Sequence, residues 1–153
     1  MNIQYYKEPS LQEDYVEVHY QEESETVEVI RDFFDSFQSI TAKSENGMVK
    51  LHPNSVFYLE LVDRKLFAYQ EKEVYQLDYS MRHFLECFES NGFVQIGKST
   101  IVNLYKVGCV KTDLNMKLRL HMDNGEVLIL NRTFKKAFLE ALTHIQEVCH
   151  ENH

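Results

Sequence analysis

The chain has 153 residues and a formal net charge of −8, with 44% apolar and 12% aromatic residues. This composition suits one globular domain with a small appended segment, and it excludes wholesale disorder. No apolar run approaches the roughly 18 residues of a membrane span, and the first residues, Met1–Glu8, lack the basic and apolar regions of a signal peptide. We therefore expect a soluble, cytoplasmic protein.

The motif content argues against an enzyme. The three cysteines, Cys87, Cys109 and Cys149, are widely spaced and form no CxxC pair, so neither a disulfide framework nor a zinc site is expected. P-loop, GxSxG, GxGxxG and HExxH patterns do not occur in the sequence. We therefore expect no metal, no cofactor and no catalytic residues.

The acidic charge is concentrated in the N-terminal third. Residues 1–47 hold three Lys/Arg and eleven Asp/Glu, a net charge of −8, whereas residues 48–153 are neutral overall. Within that neutral part, residues 93–138 hold eight basic and three acidic side chains, a local charge of +5. A phosphate backbone responds to charge within about a Debye length, ~8 Å at physiological salt, so nucleic-acid binding through this region is compatible with an acidic protein.

The N-terminal residues predict a small acidic β–α segment over residues 1–39. Residues Tyr15–Tyr20 alternate between apolar and polar side chains, which indicates a strand. Over residues 24–39 the apolar residues recur at helical spacing and indicate an amphipathic helix. Those apolar residues are Val27, Ile30, Phe33, Phe34 and Phe37. The phenylalanines are expected to dock on the rest of the protein, which we favour, or on a partner.

Residues 40–150 form the second predicted domain, and its pattern changes to short strands. Asn46-Gly47 predicts a type I′ hairpin turn between strands at 40–43 and 48–51. Val56–Leu61 is almost continuously apolar and predicts a central strand. The next turn, Val62–Lys65, carries two cations at its tip. Further predicted strands and helices, in chain order, are strands at 66–69 and 74–77, a helix at 77–88 ended by Asn91-Gly92, strands at 108–111, 117–122 and 127–130, and a terminal helix from Asn131-Arg132.

Residues 93–107 predict a strand, a tight Gly97–Ser99 turn and a second apolar strand. Gly97 is expected to allow the turn, so that Lys98 and Ser99 project at its tip. A cation and a hydroxyl at a sheet edge can bind phosphate or a base edge. The alternative, an ordinary turn with a solvated lysine, stays open at this point.

Three segments in this order resemble the LytTR-type DNA-binding domain of bacterial transcriptional regulators, over about residues 40–143. The first is Phe93–Asn103, which is similar to the family's aromatic residue, strand, Ser-containing turn and apolar run ending in Asn. The second is Asp123–Glu126 followed by apolar residues and Asn131-Arg132, before a basic helix. The third is Val56–Glu60, followed by Asp63-Arg64-Lys65. Residues 1–39 are too short for the receiver domain that many family members carry, so phosphorylation on Asp is not expected.

The resemblance implies an α+β, mostly antiparallel fold: an elongated β domain with two helices and no helix-turn-helix, whose loops enter successive major grooves. The positions that match the family's base-reading residues are Arg64, Lys98 and Arg132, with Asn131 the polar neighbour of Arg132. Those that match its backbone-contacting residues are Lys65, Ser99, Lys135 and Lys136. Independently, all three base-reading candidates lie at turns or at the start of an element, and Arg is the side chain best suited to guanine. A solvated turn cation stays open as the alternative for each.

The sequence thus predicts a sequence-specific transcriptional regulator that binds double-stranded DNA, as a homodimer on repeated half-sites. The family resemblance also implies a small membrane protein as a regulator. The alternative is a protein-interaction or sensory module that uses the acidic amphipathic helix. The acidic segment is expected to lie away from DNA or to take part in self-association, because its charge repels phosphate.

Overall fold

The computed structural model describes residues 1–12 and 14–151, with side chains described except at 35–37 and 146–151. The chain divides into two compact units, Met1–Phe34 and Asp35–His153. The predicted domain boundary between residues 39 and 40 stays a prediction. In the part of the chain that the structure describes, no helix is long and apolar enough to cross a membrane.

The first unit contains the start of helix α1 (Glu25–Phe37), which confirms the predicted helix. The Ser24 hydroxyl accepts a hydrogen bond from the Val27 amide at 3.3 Å and caps the helix. The predicted strand at Tyr15–Tyr20 is wrong, because residues 1–12 and 14–24 contain no strand. Alternation alone does not make a strand, since a strand also needs a neighbour whose backbone groups it can pair.

The docking of the helix phenylalanines stays a prediction, and two of them are exposed. Phe33 is 57% exposed and Phe34 is 41% exposed. The two rings contact each other edge-on, with centroids 5.4 Å apart. The side chain of Phe37, the third predicted core residue of this group, lies outside the described side chains.

A seven-stranded sheet dominates the second unit, and each of its strand pairs is antiparallel. Its order is β2-β1-β5-β4-β3-β7-β6. The strands are β1 (Ile40–Ser44), β2 (Gly47–Leu51), β3 (Tyr58–Val62), β4 (Lys65–Tyr69), β5 (Val74–Leu77), β6 (Phe93–Gln95) and β7 (Thr100–Asn103). Helix α2 (Met81–Phe88) follows β5 and starts at Ser80, whose hydroxyl accepts from the His83 amide at 3.1 Å.

A second sheet of three antiparallel strands follows, with the order β10-β9-β8. Its strands are β8 (Val107–Thr112), β9 (Leu118–Met122) and β10 (Val127–Ile129), and the terminal helix α3 spans Lys135–Glu151. Together with α2, these elements confirm the predicted α+β, mostly antiparallel fold with two helices after the N-terminal segment.

Strands β3 and β7 are buried on both faces, which explains their nearly continuous apolar sequence. Leu59 and Ile101 belong to a core formed with β1, β4, β5 and α2. Tyr58 and Val102, on the opposite face, belong to a second core that includes β9 and Phe138 of α3. The central position predicted for Val56–Leu61 is therefore confirmed.

Two predicted turn geometries are wrong. The β1–β2 hairpin exists, but Ser44 pairs with Gly47, so its loop is Glu45-Asn46 rather than a type I′ turn at Asn46-Gly47. Gly97 does not have a positive φ, and a Cβ built there meets nothing within 4 Å. The chain turns at Gly97 without using the conformational freedom that glycine offers.

Candidate nucleic-acid interface

Three segments that carry predicted site residues lie at the same end of the large sheet. Glu60 of β3 pairs with Thr100 of β7, so the C-terminal end of β3 lies beside the N-terminal end of β7. The β3–β4 turn (Asp63-Arg64) and the β6–β7 loop (Gly97–Ser99) therefore lie at the same end of the sheet. The topology brings together residues that are 34 positions apart in the chain, Arg64 and Lys98.

Two backbone hydrogen bonds fix the spacing of these segments. The Leu61 amide donates to the Ser99 carbonyl at 2.8 Å, which holds the β6–β7 loop against the end of β3. The Asn131 amide donates to the Ile96 carbonyl at 2.8 Å, which attaches the Asn131-Arg132 segment to the end of β6. We call the β3–β4 turn, the β6–β7 loop and the Asn131-Arg132 segment the loop row. The order in which the three follow one another is set by backbone pairing.

The β3–β4 turn has an uncommon backbone for its sequence. Val62 pairs with Lys65, and the two residues between them have φ angles of +49° at Asp63 and +66° at Arg64. Positive φ at both central residues is the type I′ geometry, which favours Asn-Gly because a Cβ costs roughly 1–2 kcal/mol per residue there. Arg64 is exposed and adopts this conformation without glycine. Non-glycine residues held in such strain are concentrated at functional sites.

The β6–β7 loop is fixed by a buried side chain and by hydrogen bonds within the loop. The side chain of Ile96 is fully buried, and its amide donates to the Thr100 carbonyl at 3.0 Å. The side-chain nitrogen of Gln95, Nε2, donates to the Gly97 carbonyl at 2.8 Å. These contacts leave Lys98 and Ser99 exposed at the tip. Gln95 is a positioning residue that the sequence pattern did not single out.

The Asn131-Arg132 segment begins a 3-10 turn that leads into α3. The Asn131 side-chain oxygen accepts from the Thr133 amide at 3.0 Å and caps this turn. Asn131 therefore orients Arg132, in addition to any contact its amide nitrogen makes. Lys135 and Lys136 follow in the first turn of α3, where Phe138 is fully buried.

All eight predicted site residues are exposed, and the loop row brings five of them to one end of the large sheet, with Lys65 next to Arg64 at the start of β4. Lys135 and Lys136 lie farther along the chain, on α3, and no hydrogen bond joins them to the row. Six of the eight predicted site residues are cations, and no carboxylate of a described residue forms an ion pair with any of these lysines and arginines. An exposed set of cations without acidic partners can accept an anion such as a phosphate backbone. The residues are Arg64, Lys65, Lys98, Ser99, Asn131, Arg132, Lys135 and Lys136.

Comparison with known proteins gives consistent matches. Residues 46–143 match the family model described as the LytTr DNA-binding domain. A solved LytTr DNA-binding domain from Bacillus cereus superimposes with a TM-score of 0.63 at 26% identity, covering 68% of this chain and 95% of that chain. The sensory transduction protein LytT of Enterococcus faecalis is 20% identical over 105 residues, which is 69% of this chain and 43% of that protein. The chain thus spans less than half the length of that relative.

Proposed function

The chain belongs to the LytTR family of DNA-binding domains, and from that membership we propose that it is a sequence-specific transcriptional regulator that reads the major groove through its loop row. The family is one of DNA-binding domains, not of enzymes. The proposal is supported by the pair of backbone bonds, Leu61 to Ser99 and Asn131 to Ile96, that join three segments with exposed cations.

The proposed roles follow from side-chain chemistry and position. Arg64, Lys98 and Arg132 stand at the three tips, and Arg or Lys can bind O6 and N7 of guanine in the major groove. Lys65 and Ser99 flank two of these tips, and Asn131 orients the third. Lys65, Ser99 and Asn131, together with Lys135 and Lys136, contact the sugar-phosphate backbone. Such contacts position the protein but carry no sequence information.

The proposal is tested by selecting bound sites from random duplexes with the purified protein and then repeating the binding with Arg132→Ala. Each base contact is worth on the order of 1–3 kcal/mol of discrimination, so the variant should bind the selected site about 5- to 150-fold more weakly and keep its fold. Arg82→Ala is the matched control, because Arg82 is also exposed but lies on α2 in an ion pair with Glu86 at 3.2 Å. Specific binding by Arg132→Ala at the level of the control would contradict the proposal.

Binding as a homodimer on repeated half-sites, in the cytoplasm, is part of the same proposal. It is supported by the family resemblance alone. Selected sites should then contain two copies of one motif at a fixed spacing, and the complex should sediment with two protein chains. A single motif bound by one chain would contradict this part and leave the reading of DNA by the loop row intact.

A second candidate function, a protein-interaction module built on α1, is favoured by the exposure of Phe33 and Phe34. The two candidates differ in their behaviour at low salt, where attraction between cations and phosphates is strongest. Retention on duplex DNA at low salt favours the regulator. Failure to bind any duplex there would favour the interaction module.

A further inference from the structure

The β8–β9 hairpin ends in a tip, Asp113–Lys117, that displays two large apolar side chains. Leu114 is 103% exposed and Met116 is 78% exposed. Large exposed apolar residues at a single tip, rather than scattered over the surface, mark an interaction site more often than chance exposure does. The predicted DNA contacts do not include this tip.

Hydrogen bonds to the Asp113 carboxylate close the tip. One carboxylate oxygen of Asp113 accepts from the Asn115 amide and from the Lys117 amide, both at 2.9 Å, and the other accepts from Arg119 Nε at 3.2 Å. These hydrogen bonds, of which that from the Lys117 amide has the largest effect, keep the pKa of Asp113 below its usual value. The Met116 backbone has a φ of +64°, which is a strained conformation for methionine. Strained residues are concentrated at functional sites, so Met116 is a candidate contact residue.

The hairpin tip lies next to the loop row. The Leu130 amide donates to the Leu118 carbonyl at 3.0 Å, which continues the β9–β10 pairing to the residue before Asn131. Leu118 directly follows the tip, and Asn131 is bonded to Ile96. Backbone pairing therefore places the tip beside the Asn131-Arg132 segment, on the side opposite the β6–β7 loop.

The charge around the tip selects its partner. Lys111 and Arg119 flank it, Lys117 is its last residue, and Arg119 forms an ion pair with Asp113, so these four side chains carry a net charge of +2. Two copies of the same tip facing each other would bring like charges together. A DNA groove instead offers apolar sugar walls between two lines of phosphates, which matches apolar side chains flanked by cations. Apolar side chains beside cations are a usual means of contacting the minor groove.

We propose that the β8–β9 hairpin is a fourth DNA-contacting element, which inserts Leu114 and Met116 into the minor groove next to the bases read by Arg132. This inference rests on the proposed function. It extends the site beyond the residues that resemble the family's DNA contacts, and it gives the protein a footprint that continues past Arg132.

The experiment compares wild type with L114S/M116G on two selected duplexes, one of full length and one cut short on the Arg132 side. Serine removes the apolar surface at 114, and glycine accepts the positive φ at 116. Wild type should lose about tenfold in affinity when the flank is removed, and the variant should bind both duplexes with the affinity that wild type has for the short one. Met48→Ser is the matched control, because Met48 is 60% exposed on β2, at the far edge of the large sheet from the loop row.

Three results would overturn the inference. The variant could bind the full-length duplex as tightly as wild type does, it could lose the same factor in affinity relative to wild type on both duplexes, or its self-association without DNA could differ from that of wild type. Thermal unfolding of the variant checks that its fold is kept. If wild type binds its selected site and Arg132→Ala binds that site more weakly, the proposed function stands whatever the hairpin variant does. If wild type fails to distinguish its site from unrelated duplex, the proposed function fails and the hairpin inference fails with it.

Discussion

Asn103 is a fully buried polar residue, and its side chain joins three points of the backbone. Its amide nitrogen donates to the Val56 carbonyl at 2.9 Å and lies 3.4 Å from the Pro53 carbonyl, while its oxygen accepts from the Tyr105 amide at 3.1 Å. These bonds hold the end of β7 against the segment that enters β3. Since β3 and β7 carry two members of the loop row, Asn103 supports the site without touching it.

Asn103→Ala should lower the free energy of unfolding by about 1–3 kcal/mol, because it leaves the buried Val56 carbonyl without its hydrogen-bond donor. Urea unfolding of the variant measures this loss. Asn54→Ala, at an exposed position, is the control and should unfold like wild type. Equal unfolding midpoints for Asn103→Ala and wild type would contradict the supporting role.

Gly92 and Gly97 flank β6 and differ in what they require. Gly92 has a φ of +90°, and a Cβ there would lie 2.6 Å from two ring carbons of Tyr105, whereas Gly97 has an ordinary φ and open space. Gly92→Ala should lower stability by about 2 kcal/mol or more, since it adds strain and a steric clash. Gly97→Ala should stay within about 0.5 kcal/mol of wild type. Thermal unfolding of the two variants side by side tests this contrast, and similar losses in both would contradict it.

At the scale of elements, the backbone strain of the β3–β4 turn is expected to lower the stability of the protein while Arg64 raises its affinity for DNA. Asp63→Asn with Arg64→Gly installs the residue pair that type I′ turns favour, so the double variant should be more stable than wild type by about 1–2 kcal/mol. The same variant should bind its selected site less tightly, because Arg64 no longer reaches DNA. Unfolding and DNA titration on one sample measure both effects. A variant that gained stability and kept full affinity would show that Arg64 is not a DNA contact.

The sequence correctly predicted the elements that have both a periodic apolar pattern and a neighbouring strand or helix against which they pack. Val56–Leu61 was identified as central because two covered faces require a continuous apolar run. Tyr15–Tyr20 has an alternating pattern but no strand beside it, and no local pattern reveals that absence. The loop row is a different case. The sequence indicated each tip separately, but only the pairing of β3 with β7 and of Asn131 with Ile96 shows that they are neighbours.

At the scale of the whole molecule, a net charge of −8 does not describe the surface that we propose to face DNA. Replacing Lys135 and Lys136 by alanine should reduce the slope of log affinity against log salt by about 2, because each phosphate contact contributes roughly 0.9. The preferred sequence should stay the same, since phosphate contacts carry no sequence information. The control replaces Lys50 and Lys72 by alanine, because both lysines are exposed and neither is a predicted site residue. An altered sequence preference would assign the α3 lysines to base reading instead.

The most direct test of the central claim compares the sites selected by wild type, Arg64→Ala, Lys98→Ala and Arg132→Ala. The β3–β4 turn and the β6–β7 loop are about two strand spacings apart, roughly 10 Å, and the Asn131-Arg132 segment is bonded to the end of β6. Each variant should therefore lose preference at its own position, with the Lys98 position between those of Arg64 and Arg132. Variants that lose no preference, or positions that follow another order, would contradict the reading of DNA by the loop row.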